Sequence, residues 1–323
     1  MKENHPLDVV VLGRVGYDLY SEQPNVPLPQ VRRFSRYLGG SSANTAVGLS
    51  RLGARVGMVS CLGTDLLSEF LLEFLRAEGV DTAHIQRREG FLPSLAFTEV
   101  SPPDRFPQVF YRHNAVDTML AIGDADLDYI GKARMFVTNG TALCASPSRE
   151  SAYLALERAR QAGSRVVLDV DFRPMSWPGP VEAGLAVRLA LPYVDVLIAN
   201  ETELLLAAGC QEPGAAVERL LGRGVAMLVA KLGNQGVRVY SGGETAFLAP
   251  YPVEVGTTIG AGDGFAAGFL YALLQNLPLL ECLHYGNAAA AMVVSRLSCS
   301  EAMPRLEEVQ ALMRSQRKDF ETC

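Results

Sequence analysis

The chain has 323 residues, of which 49% are hydrophobic and 20% are charged, and its formal net charge at pH 7 is −6. This composition is typical of a globular protein with a substantial core, long enough for one large α/β domain or two ordinary ones. Lysine and arginine form no run, so the basic surface that nucleic-acid binding needs is missing. We therefore expect no nucleic-acid partner.

The apolar segments and the cysteines indicate a cytoplasmic protein. The apolar run near the N-terminus is too short for a signal peptide, and no run approaches the roughly 18 residues of a membrane span. Six cysteines are scattered without a CxxC pair or zinc-like spacing. We therefore expect free thiols in a reducing compartment, no structural metal and no membrane partner.

Short apolar runs alternate with helical patterns along the chain. The runs lie at 9–12, 56–61, 135–138, 166–169, 194–199 and 225–230, and helical patterns lie at 42–52, 66–77, 148–162 and 201–208. This alternation predicts an α/β fold with a mostly parallel central sheet and helices on both faces. We expect a single domain over residues 1–323. Ligands bind beyond the carboxyl ends of such strands, so polar residues there are site candidates by position: Asn139, Asp171, Asn200 and Lys231.

Two segments depart from this alternation, at approximately 17–37 and 92–113. The first contains three prolines before an alternating apolar pattern and predicts one or two strands. The second contains two short apolar runs around the turn SPPDRFP and predicts a β-hairpin. Because both segments lie outside the strand–helix alternation, we predict that they form a small β-lid.

A glycine-rich turn, Gly260–Ala261–Gly262, leads into Asp263 and a long apolar helix. Such a turn at a helix N-terminus presents unpaired N–H groups and the positive end of the helix dipole to an anion. Asp263 beside that site can accept a proton, a combination that suits phosphoryl transfer. The alternative is an aspartate that only caps the helix.

Polar and glycine residues near the N-terminus are candidates for binding a polyol. Gly39 and Gly40 allow close approach of a ligand to the backbone, and Asn44 follows about one helical turn later. Asp18, just beyond the first strand, can accept hydrogen bonds from two vicinal hydroxyls. The alternatives are a helix start capped by serine and a solvated turn aspartate.

Further candidates follow later strands. Asn200 and Glu203 form a capping-box pattern, and the same pair can hold a hydrated Mg²⁺ through water. Lys231, Gly233 and Gly236 form a turn that can pass close to a nucleotide or simply join two strands.

Arg112 and Arg173 are candidates for an anionic group of the substrate. The planar fork of an arginine suits a carboxylate or a phosphate. Either arginine can instead form a structural ion pair. The chain lacks a GxxxxGK[ST] phosphate loop, the HRD motif of protein kinases, a GxSxG elbow and an HExxH motif.

Taken together, these motifs resemble the ribokinase-like carbohydrate kinases, also named after phosphofructokinase B. The resemblance spans essentially the whole chain and is carried by two signatures with other motifs between them. The signatures are Gly39-Gly40 with Asn44 and Ala46, then Gly53 and Gly63, and Gly260-Ala261-Gly262-Asp263 with Ala267-Gly268. Several other stretches, including those around Asp18, Arg112 and Arg173, resemble one member that acts on a keto-deoxy sugar acid in bacterial myo-inositol breakdown.

The resemblance implies ATP-dependent phosphorylation of the terminal hydroxyl of a keto-deoxy sugar acid, 5-dehydro-2-deoxygluconate, with Mg²⁺ as cofactor. It also implies a homodimer formed through the lid. In the implied active site, Asp263 is the base, and the anion hole is formed by Gly260, Ala261 and Gly262. The sugar hydroxyls are bound by Asp18, Gly39, Gly40 and Asn44, and the acid end of the sugar is bound by Arg112 and Arg173. The nucleotide is bound by Asn200, Lys231, Gly233, Gly236 and Asn287, and Mg²⁺ is held through water by Glu203 and Asn200.

One departure from the family pattern concerns a monovalent cation. The family has an aspartate where this chain has Thr257, and that aspartate helps to bind K⁺. We therefore expect at most weak stimulation when K⁺ replaces Na⁺. The roles of Ser295 and Cys299, which can touch this site or the nucleotide or merely pack, stay open.

Other functions remain as alternatives. Within the family, the acceptor can be 2-keto-3-deoxygluconate or a neutral sugar such as fructose or ribose. A nicotinamide-dependent oxidoreductase fits the strand–helix alternation but lacks the glycine fingerprint and the acidic ribose-binding residue. A sugar-binding regulator without catalysis requires the loss of Asp263 or of its glycine turn, and both are present.

Overall fold

The structure, a computed structural model, describes residues 6–321. Cys323 lies outside the described residues. The strands are β1 (Leu7–Leu12), β2 (Gly16–Ser21), β3 (Phe34–Gly39), β4 (Val56–Gly63), β5 (Asp81–Arg88), β6 (Ser94–Thr98), β7 (Gln108–Tyr111), β8 (Ala133–Asn139), β9 (Arg165–Asp169), β10 (Val196–Asn200), β11 (Met227–Lys231), β12 (Val237–Ser241) and β13 (Glu244–Leu248). The helices are α1 (Ser41–Arg51), α2 (Leu66–Ala77), α3 (Asp124–Ile130), α4 (Ser148–Gln161), α5 (Pro180–Ala190), α6 (Glu201–Ala208), α7 (Pro213–Gly222), α8 (Ala261–Leu274), α9 (Leu279–Val294) and α10 (Leu306–Glu321).

The main sheet has nine strands in the order β13-β12-β11-β10-β9-β8-β1-β4-β5. Neighbours from β11 to β5 run parallel, and the hairpin of β12 and β13 adds antiparallel strands at one edge. The predicted α/β fold with a mostly parallel sheet is thus confirmed. All six apolar runs that predicted strands lie wholly or mostly within strands of this sheet.

The strands of this sheet are apolar along nearly their whole length because helices cover both of its faces. All eight residues of β4 are buried, and in β1 the side chains of Val9 and Val11 pack on one face while Val10 and Leu12 pack on the other. Helices α1, α2, α8 and α9 contribute to the first core and α4 to α7 to the second. The parallel strands therefore end together at one edge, where the polar residues that follow them meet.

The two segments predicted as a lid form a second, four-stranded sheet in the order β3-β2-β6-β7, which we call the small sheet. Cross-strand partners share a face of a sheet, so the register defines two faces. Asp18, Ala96 and Phe110 are paired in one row of the sheet, and Leu19, Phe97 and Val109 in the next. Asp18 therefore lies on one face with Phe110, and the apolar row lies on the other.

The described residues show free thiols and no helix suited to cross a bilayer. Cys61, Cys144, Cys210, Cys282 and Cys299 are unpaired by disulfides. Within residues 6–321, every helix is either too short or too polar to span a membrane.

Candidate active site

Asp263 lies in the first turn of α8, at the carboxyl-end edge of the main sheet. Its side chain is 8% exposed, and its two oxygens accept hydrogen bonds from Ser41 Oγ and Asn44 Nδ2, each at 2.8 Å. Ser41 and Asn44 belong to the first turn of α1, which Gly40 starts with a φ of 98°. The two predicted signatures, far apart in sequence, thus meet at one carboxylate.

The environment of Asp263 makes it a better proton acceptor than an exposed aspartate. Burial raises the pKa of its carboxyl, and the nearby carboxylate of Asp171 raises it further, against the lowering by the bonds from Asn44 and Ser41. A carboxylate with a raised pKa that still has fixed hydrogen-bond donors suits a general base.

The N-terminus of α8 offers an anion site. Gly260 has a φ of 84°, a conformation that favours glycine, and no side chain caps the helix. The N–H groups of Gly262 and Asp263 find no acceptor among the described residues. Lys231 completes the site, because a Cβ added to Gly262 would lie 3.4 Å from its Nζ. Two N–H donors and one cation thus converge at the start of α8, an arrangement suited to binding an anion, and the role of this turn as an anion hole stays a prediction.

Lys231 is held by a buried carboxylate. Its Nζ donates to both oxygens of Asp169, at 2.9 and 3.1 Å. Burial alone would lower the pKa of Lys231, but Asp169, Glu203 and Asp171 outweigh it and raise the pKa. The ammonium therefore stays charged beside the turn.

A cavity of about 500 Å³ opens next to this turn, between α8, α9 and the residues that follow β11 and β13. Its polar end is formed by Lys231 and the start of α8, and its remaining wall is mainly apolar. Four of the five predicted nucleotide residues line it, namely Lys231, Gly233, Gly236 and Asn287, whereas Asn200 is not part of its wall. Asn287 also donates from Nδ2 to the carbonyl of Ala249 at 2.7 Å, which holds the segment after β13 against α9.

Asn200 and Glu203 form a complete capping box at the start of α6. Asn200 Oδ1 accepts from the N–H of Glu203 at 2.9 Å, and Glu203 Oε2 accepts from the N–H of Asn200 at 2.8 Å. Glu203 Oε1 accepts from the N–H of Phe172 at 2.9 Å. The structural alternative is therefore present, and contact with Mg²⁺ through water stays a prediction for this pair.

Asp18 is buried, and its Oδ1 has no hydrogen-bond partner among the described residues. Burial raises the pKa of Asp18 to about 6, although Arg14 and Arg173 lower it. A Cβ on Gly39 would lie 2.1 Å from the carboxyl carbon of Asp18, so only glycine leaves room for this carboxylate. A buried acceptor without a partner in a polar site is what a ligand hydroxyl would satisfy.

Arg173 lies at the mouth of the site, with its side chain 45% exposed. Its Nε donates to Asp171 Oδ1 at 2.8 Å, and its remaining N–H groups have no partner among the described residues. Asp171 has a φ of 34° and a second buried oxygen without a partner. The predicted arginine therefore retains donors for an anion.

Arg112 is placed differently, because its guanidinium is surrounded by protein acceptors. Nε and Nη2 donate to Asp117 at 3.0 and 2.6 Å, and Nη2 also donates to the carbonyl of Thr141 at 2.8 Å. Nη1 donates to Ser176 Oγ at 3.0 Å and to Cys144 Sγ at 3.2 Å. All five N–H groups are thus engaged within the protein, and binding of the substrate by Arg112 stays a prediction.

Sequence reasoning did not single out three residues of this site. The sequence pattern predicts only a helix cap for Ser41, yet Ser41 Oγ donates to Asp263. Asp169 holds Lys231, and Arg14 donates from Nη1 to Ser94 Oγ at 2.9 Å beside Asp18. The only sequence signal for these three residues is position, because each lies next to a residue of a predicted motif.

The residues of uncertain role have clear positions. Thr257 is fully buried, and its Oγ1 accepts from the N–H of Ile259 at 3.2 Å. Ser295 Oγ donates to the carbonyl of Met292 at 2.9 Å. Cys299 Sγ lies 2.9 Å from the hydroxyl of Tyr20, and a Cβ on Gly260 would lie 3.0 Å from Cys299. Cys299 thus packs against the anion turn.

Known sequences resemble this chain over nearly its whole length. The model of the pfkB family carbohydrate kinases matches residues 6–306. A 5-dehydro-2-deoxygluconokinase of Clostridium tetani (strain Massachusetts / E88) is 36% identical, covering 98% of this chain and 96% of the relative. One of Geobacillus kaustophilus (strain HTA426) is 35% identical, with the same coverage of 98% and 96%.

Solved structures share the fold. A protein from E. coli named ribokinase II, in its apo form, has a TM-score of 0.89 at 24% identity, covering 96% of this chain and 99% of that chain. A fructokinase with bound ATP from Xylella fastidiosa has a TM-score of 0.83 at 26% identity, again covering 96% and 99%. The fold is therefore ribokinase-like. The family match and the relatives agree with the geometry of the site: this chain belongs to the pfkB family of carbohydrate kinases.

Proposed function

We propose that this protein transfers the γ-phosphoryl group of ATP to the terminal hydroxyl of 5-dehydro-2-deoxygluconate. The observation that carries the reaction type is Asp263, a buried carboxylate at an open helix N-terminus beside a nucleotide-sized cavity. The relatives named above support the choice of acceptor, which fits a role in myo-inositol catabolism.

Asp263 acts as the general base in this proposal. It accepts the proton of the attacking hydroxyl as the oxygen of that hydroxyl forms its bond to phosphorus. Ser41 and Asn44 fix the orientation of the carboxylate by donating to both of its oxygens. Its raised pKa increases the driving force for proton transfer.

The turn Gly260–Ala261–Gly262 serves as the anion hole. The N–H groups at the start of α8 would donate to the negative charge that shifts during transfer, and Lys231, held by Asp169, would add a positive charge. These groups are fixed before the substrate arrives, so they stabilise the transition state without rearrangement.

The residues present fit ATP and Mg²⁺. The apolar wall of the cavity suits a purine ring, and the end with Lys231 suits the phosphates. Mg²⁺ bound to the phosphates supplies neutralisation of their charge. Asn200 and Glu203 would hold it through water, since both oxygens of Glu203 already accept backbone N–H bonds and retain capacity for a water.

The acceptor would lie between Asp263 and the small sheet. Asp18 and Asn44, with the backbone at Gly39 and Gly40, would bind its hydroxyls. Arg173 and Arg112 would serve its acid end, Arg173 by contact. The small sheet would act as the lid, excluding water so that ATP is not hydrolysed.

Coupled ADP release with MgATP tests the proposal. The acceptors are 5-dehydro-2-deoxygluconate, 2-keto-3-deoxygluconate, fructose, ribose and adenosine. We expect at least about tenfold higher kcat/KM for the first acid than for any other acceptor. Against the neutral acceptors, a charge-assisted hydrogen bond to the carboxylate contributes about that factor. The second acid carries a carboxylate too, so that comparison tests the placement of the keto and deoxy groups. Turnover of only another acceptor would reject the proposed substrate, and no turnover of any acceptor would favour a sugar-binding protein.

We propose a cytoplasmic homodimer that forms through the small sheet. The free thiols among the described residues are compatible with a reducing compartment. The face of the small sheet that carries Leu19, Phe97 and Val109 is partly exposed and apolar, which suits an interface.

A further inference from the structure

Arg14 lies in the short loop between β1 and β2 and has unused donors beside the candidate site. Its Nη1 donates to Ser94 Oγ at 2.9 Å, and its guanidinium carbon lies 5.8 Å from the ring centroid of Phe110. Among the described residues, Nε and Nη2 of Arg14 have no acceptor. These two nitrogens can therefore donate to a ligand in a forked geometry.

The surroundings of Arg14 hold its side chain in this place. A Cβ on Gly16 would lie 2.4 Å from Nη1 of Arg14, so glycine at that position makes room for the guanidinium. A Cβ on Gly40 would lie 2.4 Å from the carbonyl oxygen of Arg14, so the backbone of Arg14 is also packed against the turn that starts α1. The arginine is thus built into the site.

Both partners of Arg14 lie on the face of the small sheet that carries Asp18. Ala96 is paired with Asp18 on one side and with Phe110 on the other. Ser94 precedes Ala96 by two residues and shares its face. Arg14 therefore lies between the main sheet and the side of the small sheet that faces the acceptor.

The proposed acceptor position is surrounded by negative charge, so an acid can bind there only if cationic side chains offset that charge. The buried carboxylates of Asp18, Asp171 and Asp263 lie close together, and a sugar acid would add another negative charge. Arg14 and Arg173 each lower the pKa of both Asp18 and Asp171, which reflects the proximity of the two guanidiniums to these carboxylates. Binding a carboxylate there requires cations with donors to spare.

Arg112 lacks such donors but holds Arg173 in place. Its five N–H groups are engaged within the protein. One of its acceptors is Ser176, whose own N–H donates to the carbonyl of Arg173 at 2.9 Å. Arg112 thus braces the turn that carries Arg173.

We propose that Arg14 determines specificity for an acid substrate by binding its carboxylate together with Arg173, while Arg112 is a positioning residue. The inference rests on the proposed kinase function and adds the group that recognises the acid. Because Ser94 and Phe110 belong to the small sheet, the same arginine links recognition of the acid to placement of that sheet over the acceptor.

The test compares two acceptors that differ only in charge: 5-dehydro-2-deoxygluconate and its primary carboxamide. For Arg14→Gln, we expect kcat/KM to fall about 10- to 100-fold with the acid, the range for a lost charge-assisted hydrogen bond. With the carboxamide we expect kcat/KM to change by less than about threefold, since this acceptor has no negative charge to pair with Arg14. For Arg112→Lys, we expect kcat to fall with both acceptors, because the turn that Arg112 braces also carries Asp171, which is bonded to Arg173 and lies near the base Asp263.

Two further variants keep the test valid if Arg14→Gln folds poorly. Arg14→Lys keeps the charge but not the fork, and we expect a loss of about tenfold with the acid. Arg36→Gln is the matched control, because Arg36 also stacks on a phenylalanine, Phe70, at 4.1 Å, yet lies on the opposite face of the small sheet. We expect Arg36→Gln to leave both kcat/KM values within about twofold.

The outcomes separate the inference from the proposed function. If the wild-type protein phosphorylates no sugar acid, the proposed function fails and this inference fails with it. If the wild-type protein phosphorylates the acid but Arg14→Gln lowers kcat/KM equally with the acid and with the carboxamide, the kinase function stands and Arg14 has only a structural role. An acid-specific loss confined to Arg112→Lys would assign direct recognition to Arg112 instead.

Discussion

Asp263 shows how one residue depends on two distant segments of the chain. The α8 turn places its carboxylate at a helix N-terminus, whose dipole would favour the charged form. Burial and Asp171 oppose this and raise the pKa of Asp263. Ser41 and Asn44 from α1 keep the carboxylate oriented, in spite of the free-energy cost of burying it. Burying this carboxylate costs free energy of folding, which fits the proton-transfer role that we propose for it.

Replacing Asp263 with asparagine should lower kcat by about 10²–10⁴-fold, the range for loss of a positioned general base. Asparagine keeps the size of the side chain and can still pair with Ser41, so the fold should persist. Steady-state ADP release measures the effect, with thermal unfolding as the control for folding. Full turnover by Asp263→Asn would contradict the assignment of the base.

In the wild type, the base is active above its raised pKa, so kcat/KM should fall as pH falls through that pKa.

Asp18 should make stability depend on pH with an unusual sign. Burial raises its folded pKa to about 6, against an unfolded value of 3.8. As pH rises from about 4 to 7, the unfolded chain loses its proton first, so the wild type should lose about 3 kcal/mol of stability relative to Asp18→Asn. Below the unfolded pKa of 3.8 this loss of stability is absent, because Asp18 is protonated in both the folded and the unfolded chain. Urea unfolding at several pH values measures it.

The exposed Asp128, 72% exposed at its side chain, gives the control for this experiment. Asp128→Asn should leave the pH dependence of unfolding unchanged. An identical pH dependence in the wild type and Asp18→Asn would mean that Asp18 is ionised without cost in the folded state.

At the scale of elements, α8 and α9 pack unusually closely because of glycines. A Cβ on Gly268 would lie 2.3 Å from the carbonyl oxygen of Tyr285 and 2.9 Å from Cβ of Ala289. Gly264 and Gly286 face the partner helix at similarly short distances. Both helices line the cavity that we propose for the nucleotide, so their separation sets its width.

Gly268→Ala should lower the free energy of unfolding by about 1–3 kcal/mol, because backbone atoms of α9 cannot yield to the added methyl. It should also raise KM for ATP by widening the cavity. Gly214→Ala in α7 is the matched control, since a Cβ there meets nothing within 4 Å. That change should be neutral or stabilise by up to about 1 kcal/mol. Equal effects of the two substitutions would show that α8 and α9 adjust freely.

Elements of this fold were predictable where local pattern and burial agree. Helices α2 and α6 begin and end as their apolar periodicity and caps indicate, at Leu66–Ala77 and Glu201–Ala208. The meeting of Asn44 with Asp263 was predictable only through the family resemblance. The engagement of Arg112 was not predictable, because Asp117, Cys144 and Ser176 come from separate segments and no local pattern links them.

At the scale of the whole molecule, two exposed apolar surfaces compete as interfaces. The small sheet exposes Val109 and Tyr111, and its edge strands β3 and β7 leave backbone groups open to pairing. Helix α5 exposes Leu185 and Leu189 on one stripe. The sheet has both an apolar face and open edges, so it is the stronger candidate for a second copy of the chain.

Sedimentation should therefore give about twice the chain mass of 34.8 kDa for the wild type, and the single-chain mass for Val109→Glu/Tyr111→Glu. Two carboxylates on the sheet face would be buried and close to their symmetry mates in a two-fold dimer, which is costly. Leu185→Glu, the matched control on α5, should remain a dimer. A monomer produced by Leu185→Glu alone would place the interface on α5, and a monomeric wild type would reject the dimer. If the small sheet is both lid and interface, the sheet variant should also lose turnover, because a lid without its partner sheet would no longer be held over the acceptor.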